Sequence, residues 1–201
     1  MLVLVGASAS GKTDIAKILI QDYGFQKMVT TTSRRPRKGE INGIDYNFIS
    51  KKVFENRIEK DKFLEHVEYN DHYYGTPTKG ATKEKVLIVD PVGANSIYDK
   101  EIPDTVIVLL QTNEETRKER MLERGDTLIQ IIDRLEKDKE HFDKKNLKHL
   151  DFIVNTTEGT QRELAEKIND LYHHQVDQEN QMSIFDVFRD DEKTAKEKEN
   201  E

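Results

Sequence analysis

A chain of 201 residues, 35% hydrophobic and 35% charged, has the size of one domain with its own core and a wet surface. It has no cysteine, which excludes disulfides, thiolate metal sites and a cysteine nucleophile. Its net charge of −7 argues against general nucleic-acid binding, which needs clustered positive charge. No apolar run approaches the roughly 20 residues of a membrane helix. The opening Met1-Leu2-Val3-Leu4-Val5-Gly6 has neither the basic start nor the cleavage site of a secretory signal, so a cytoplasmic location is expected.

Leu2 to Val5 is a short apolar run that ends on a glycine, as a buried strand does. Residues 12–22 follow, with Ile15, Ala16, Ile18 and Leu19 at helical spacing. Between strand and helix stands Gly6-Ala7-Ser8-Ala9-Ser10-Gly11-Lys12-Thr13, the Gly-x-x-x-x-Gly-Lys-Thr spacing of a phosphate-binding P-loop. Its glycines let the backbone curl so that N–H groups face phosphate oxygens, and the helix N-terminus adds a positive dipole. In such a loop Lys12 reaches the β- and γ-phosphates and Thr13 offers a hydroxyl to Mg²⁺. The motif identifies a nucleoside triphosphate site without naming a reaction, because ATPases, GTPases and small-molecule kinases share it.

Residues 29–79 break the strand–helix rhythm with Arg and Tyr residues, three glycines and short alternating pieces such as Asp45-Tyr46-Asn47-Phe48-Ile49, so they read as an inserted subdomain. Arg34 and Arg37, three apart around Pro36, form a cationic corner suited to bidentate capture of a phosphate. Val86-Leu87-Ile88-Val89-Asp90 and Thr105-Val106-Ile107-Val108-Leu109-Leu110 read as buried parallel strands, with Phe152-Ile153-Val154 as a shorter last one. Helices are expected near 113–123, 127–148 and 160–174, which together predicts an α/β layer fold around a parallel sheet. After about residue 175 the chain turns polar apart from an apolar island at 182–188, and 190–201 is expected to be disordered.

The string Thr30-Thr31-Thr32-Ser33-Arg34-Arg35-Pro36-Arg37-Lys38-Gly39-Glu40-Ile41-Asn42-Gly43-Ile44-Asp45-Tyr46-Asn47-Phe48 resembles the guanylate kinase signature Thr-Thr-Arg-x-Pro-Arg-x-Gly-Glu-x-x-Gly-x-Asp-Tyr-x-Phe. The similarity continues through Phe63-Leu64-Glu65, Tyr73-Tyr74-Gly75-Thr76, Asp90 with Gly93, Arg124-Gly125, Arg134-Leu135 and Val154-Asn155, and covers about residues 2–172. The resemblance implies a three-layer P-loop fold with a parallel central sheet over 1–28, 80–120 and 150–176. It also implies a mixed α/β nucleoside-monophosphate-binding insert over 29–79, a helical lid over 121–149 and a polar tail over 177–201. The implied reaction is transfer of the γ-phosphoryl group of MgATP to GMP or dGMP. In that scheme Arg34, Arg37, Tyr46 and Tyr74 hold the acceptor phosphate. Glu65 accepts from guanine N1–H and the 2-amino group, Thr30 and Thr76 donate to O6, and Asp90 makes a further guanine contact. Chemically, an ionised carboxylate can only accept, so Glu65 suits those two adjacent donors and would meet the N1 lone pair of adenine badly. Lys12 serves the transfer with Arg124 and Arg134, which close over the phosphates from the lid, and Asn155 belongs to the ATP side.

The chain departs from the family pattern in two places. Ile88 stands where an acid is usual, which leaves the outer magnesium shell without that carboxylate. The lid reads Asp126-Thr127-Leu128-Ile129-Gln130 where acidic and hydroxyl residues are usual, which implies altered lid packing. Arg120 reads either as a lid group or as a helix-surface residue. Two other readings stay open: a P-loop kinase for another phosphorylated acceptor, and a non-catalytic guanylate kinase-like interaction module. The Glu65, Thr76 and Asp90 set opposes the first, and the retained Lys12 opposes the second. In the tail, Gln181-Met182-Ser183-Ile184-Phe185 resembles the peptide by which bacterial proteins dock on the DNA polymerase sliding clamp, with Met182, Ile184 and Phe185 as apolar anchors.

Overall fold

The computed structural model describes residues 1–178 except Lys38 and Asn70. Strand β1 (Leu2–Gly6) is buried along its whole length, which is why its five residues carry no polar side chain. It lies at the centre of a five-stranded, wholly parallel sheet in the order β2-β7-β1-β8-β9, where β2 is Gln26–Lys27, β7 is Lys85–Ile88, β8 is Val106–Gln111 and β9 is Phe152–Asn155. Leu4 pairs with Ile88 on one side and Val108 on the other, and Gly6, where β1 gives way to the P-loop, pairs with Leu110 near the end of β8.

Alternation along β1 divides the core. Leu2 and Leu4 pack with Ile15 and Leu19 of α1 (Lys12–Asp22) and with Ile168 and Tyr172 of α6 (161–178). Met1, Val3 and Val5 point the opposite way and pack with Leu87, Ile107 and, from α3 (Pro91–Tyr98), Ala94 and Ile97. With both faces covered, the sheet is the middle of three layers, the architecture that apolar runs without alternation predict. The expected strands and the expected helix at 12–22 are present within a residue or two. Strand β2 was not expected: both its residues are exposed, and it exists through backbone pairing with β7 rather than through any apolar pattern.

The insert builds a second sheet in the order β4-β3-β6-β5, with β3 Thr31–Thr32, β4 Asn47–Phe48, β5 Phe63–Tyr69 and β6 His72–Pro77. Helix α2 (Lys51–Glu59), capped by the Ser50 hydroxyl on the Val53 amide, covers it. The Phe54 ring of α2 stacks 4.2 Å from Phe63 and 5.3 Å from Tyr73.

Helices α4 (Glu114–Glu123) and α5 (Leu128–His141) follow β8. The single helix expected over 127–148 is corrected by the structure: α5 ends at His141, and residues Lys144–Asn146 form a 3-10 turn. Asn146 folds its amide back to donate to the carbonyls of Glu140 and His141, and Asp143 caps the turn that follows, so polar side chains close the helix where apolar spacing would have extended it. The proposed clamp peptide at 181–185, the island at 182–188 and the polar run 190–201 lie outside the described residues. No helix among the described residues is long and apolar enough to cross a membrane.

Candidate active site

The loop between β1 and α1 is held close to the sheet. A Cβ on Gly6 would stand 2.7 Å from the Leu110 carbonyl oxygen and 2.7 Å from Ser10 Oγ, so this position accepts only glycine. Gly11 caps α1 with a φ of 94° and contributes no side chain, which leaves the first turn of the helix uncapped from within. Lys12 folds back over the loop and donates from Nζ to the carbonyls of Gly6 (2.5 Å) and Ala7 (2.8 Å), with the Phe142 ring centroid 5.7 Å away. Burial lowers its pKa to about 8, opposed by the nearby charge of Asp138 and assisted by Arg117 and Arg124. Thr13 is exposed beside it, and Arg124 approaches Asp14, the next residue of α1, at 3.9 Å.

Four side chains from other elements fasten this loop. Arg120 of α4 donates to the carbonyls of Ala9 (3.2 Å) and Thr156 (2.8 Å). The buried Thr156, just after β9, donates its hydroxyl to the Ser10 carbonyl (3.0 Å) and meets the Thr112 hydroxyl at 2.5 Å. Arg117 donates from Nε to the Ser8 carbonyl (2.8 Å) and from a terminal nitrogen to Asp138 of α5, whose Oδ2 also accepts from the Ser8 amide at 2.8 Å. Arg120 thus supports the loop rather than decorating a helix surface. Arg117, Asp138 and Thr156 were missed by sequence reasoning. They stand far from Ser8 and Ser10 in the chain, so no local spacing signals them. Asn155 is exposed, and its Oδ1 accepts from the Thr157 amide at 2.8 Å.

The insert gathers most of the residues expected around an acceptor. Tyr74 and Thr76 alternate on β6 and so share a face, and Glu65 on β5 is the register partner of Thr76. The Thr76 hydroxyl donates to Glu65 Oε1 at 2.5 Å, while burial pushes the Glu65 carboxyl above its ordinary range. Tyr46 and Tyr74 meet edge to face with centroids 6.2 Å apart. The Arg34 guanidinium lies 5.6 Å from the Tyr46 ring and 5.7 Å from that of Phe48, and grips Glu40 through two bonds of 2.9 and 2.8 Å. Glu40 also accepts from the Arg37 amide at 2.6 Å, and the Arg34 bonds above all hold its carboxyl at a pKa of about 2. The Arg37 side chain itself is exposed.

Asp90 caps α3 through the Gly93 amide (2.8 Å) and places its other oxygen 3.0 Å from His141 Nε2 at the end of α5. The Thr30 backbone carbonyl accepts from the Asn47 amide at 2.8 Å. A cleft of about 360 Å³ is lined by Thr13 of α1 together with Thr30, Glu40, Tyr46 and Ile88, so the start of α1 and the insert open onto one cavity. Arg124 and Arg134 are not brought into that cleft. Both side chains are half-exposed, and Arg134 pairs with Asp126 at 3.1 Å.

Because Thr156 links the P-loop to two strands, Thr156→Val is expected to lower the unfolding free energy by about 1–3 kcal/mol while keeping the side-chain volume. Urea denaturation of the two proteins checks this, and an unchanged midpoint would show that the hydroxyl carries no load.

Comparison with known proteins gives the family of the chain. The guanylate kinase family profile matches residues 1–187. A guanylate kinase of Helicobacter pylori is 38% identical over 141 residues, covering 67% of this chain and 68% of its own. One from the Aster yellows witches'-broom phytoplasma is 35% identical over 165 residues, covering 77% of each. Among solved structures, a guanylate kinase from Anaplasma phagocytophilum superposes with a TM-score of 0.62 at 21% identity over 87% of this chain and 85% of its own. A gluconokinase from Sinorhizobium meliloti 1021 gives 0.52 at 15% identity over 90% and 96%. The two structures speak for the fold alone. By the profile that spans its P-loop, insert and helical region, and by these relatives, the chain belongs to the guanylate kinase family.

Proposed function

We propose that this chain works as an ATP-dependent guanylate kinase, MgATP + GMP (or dGMP) → MgADP + GDP (or dGDP), with the donor and acceptor halves on either side of one cleft. The observation that carries the reading is the joint presence of Lys12 folded over the P-loop and a half-buried Glu65 aligned with Thr76 in the insert. The P-loop amides and Lys12 hold the triphosphate. Arg34 exchanges Glu40 for the acceptor phosphate, a swap of one bidentate anion for another, with Arg37, Tyr46 and Tyr74 completing the cage. Glu65 receives the guanine N1–H and 2-amino group, Thr30 and Thr76 supply hydroxyls to O6, and Asp90 adds a contact at the same edge.

The insert over 29–79 and a lid over 121–149 move against the core, and closure brings Arg124 and Arg134 onto the transferred group and excludes water. The acceptor phosphate is already ionised at neutral pH, so alignment and charge neutralisation suffice without a general base. Thr13 is the protein group that fits magnesium. Among the described residues no group of three or more His, Asp or Glu is placed to hold a metal ion, and Ile88 brings only a hydrocarbon surface to the shared cleft. Such a donor set suits an ion bound mainly through phosphate oxygens and water. The ion, when bound, spreads the charge of the β- and γ-phosphates.

Coupled ADP-release assays across GMP, dGMP, AMP, CMP and UMP test the reading. Turnover is expected with the guanine nucleotides; turnover with AMP in their place, or with none, contradicts it. Glu65→Gln is expected to raise KM for GMP by about 10–100-fold, as removing a hydrogen bond to a charged acceptor does, and an unchanged KM would take guanine recognition away from this carboxylate.

The lowered pKa of Lys12 gives a further signature. Below a pKa of about 8 the ammonium is charged, and above it the free protein is mostly neutral there. A bound triphosphate favours the charged form, so ATP binding just above that pH takes up part of a proton. Titration calorimetry in two buffers of different ionisation enthalpy should report this uptake, and a buffer-independent heat would contradict it.

A further inference from the structure

Ser8 sits inside the P-loop, and its amide is one of the loop N–H groups suited to an anion. In the ligand-free chain it already carries one: Asp138 Oδ2 accepts from it at 2.8 Å. The carboxylate is held there by Arg117, which donates to both the Ser8 carbonyl and Asp138. The Arg117 and Asp138 side chains are only 8% and 11% exposed, so this is a built contact and not a surface pair. The negative charge of Asp138 also acts on Lys12, the other anion-seeking group of the loop. Asp138 and Arg134 are four residues apart on α5, and so share one side of that helix.

We propose that Asp138 is a positioning residue for the phosphoryl donor: in the resting protein its carboxylate occupies the Ser8 amide, and the arriving triphosphate displaces it. Arg117 keeps its bond to the Ser8 carbonyl and acts as the fixed post from which Asp138 swings. Two anions cannot share one amide and one ammonium without repulsion, so donor binding and the Asp138 contact exclude each other. Losing that contact frees α5 from the P-loop and lets the helix bring Arg134 inward. Donor affinity is thereby set below what the loop alone would give, and lid movement is tied to ATP rather than to GMP. The inference rests on the kinase reading above.

The test is steady-state kinetics of the full chain with Asp138→Asn, which keeps the size of the group and removes its charge. KM for ATP is expected to fall about tenfold, with KM for GMP unchanged. A purely structural clamp would instead lower Tm and leave KM for ATP where it was or raise it, and either result overturns the proposal. If the single variant does not fold, the double variant Arg117→Met with Asp138→Met removes the buried pair without leaving a lone charge; the same fall in KM for ATP is expected, and its absence overturns the proposal. Inactive wild-type protein would instead contradict the kinase reading, and calorimetry with a non-hydrolysable ATP analogue then still compares donor affinity in the two proteins.

Discussion

A loop that binds phosphate through its backbone must keep N–H groups turned inward where a ligand can reach them, and a loop left so open needs support from outside. The arrangement around Gly6–Thr13 follows from that constraint. Gly6 presses against the end of β8, and Gly11 opens α1 without a cap. The carbonyls of Ser8, Ala9 and Ser10 point outward, where Arg117, Arg120 and Thr156 take them. Two long cationic side chains and one buried hydroxyl thus satisfy the acceptors of the loop and leave donors for the ligand. The supports come from the segments following β8 and β9, so the parallel order of the sheet is what delivers them to one place.

Charge is handled in the same way on both sides of the cleft. On each side one phosphate-seeking group is paired with a carboxylate of the chain: Arg34 with Glu40, and the Ser8 amide with Asp138. A buried cation without a partner would be costly, and these internal anions remove that cost. Glu65 is the counterpart. The proposed role asks for an ionised acceptor in a half-buried setting, and the Thr76 hydroxyl offsets part of the upward push that burial gives its pKa.

Much of this was legible in the residues themselves. Strands β1, β7 and β8 are mostly Leu, Val and Ile because both faces of the sheet are covered, and the P-loop follows from its own spacing. Arg34, Tyr46, Glu65, Tyr74 and Thr76 fall together because hairpin register joins β5 to β6 and places β3 beside them. Other features depend on distance in the chain or on backbone alone. Strand β2 has two exposed residues and no apolar pattern, and the end of α5 is decided by the Asn146 side chain rather than by periodicity. The Arg117–Asp138 pair joins two helices and then reaches back to Ser8, more than a hundred residues away, which only the folded chain reveals.

The central claim is that one cleft holds both nucleotides with their phosphates end to end, the P-loop gripping one and the Arg34 cage the other. Calorimetric titration of the full chain with adenosine and guanosine joined through five phosphates tests this most directly. The account predicts one molecule per chain, bound more tightly than either nucleotide alone and displaced by both ATP and GMP. Displacement by only one of them, or binding of two molecules per chain, would contradict it.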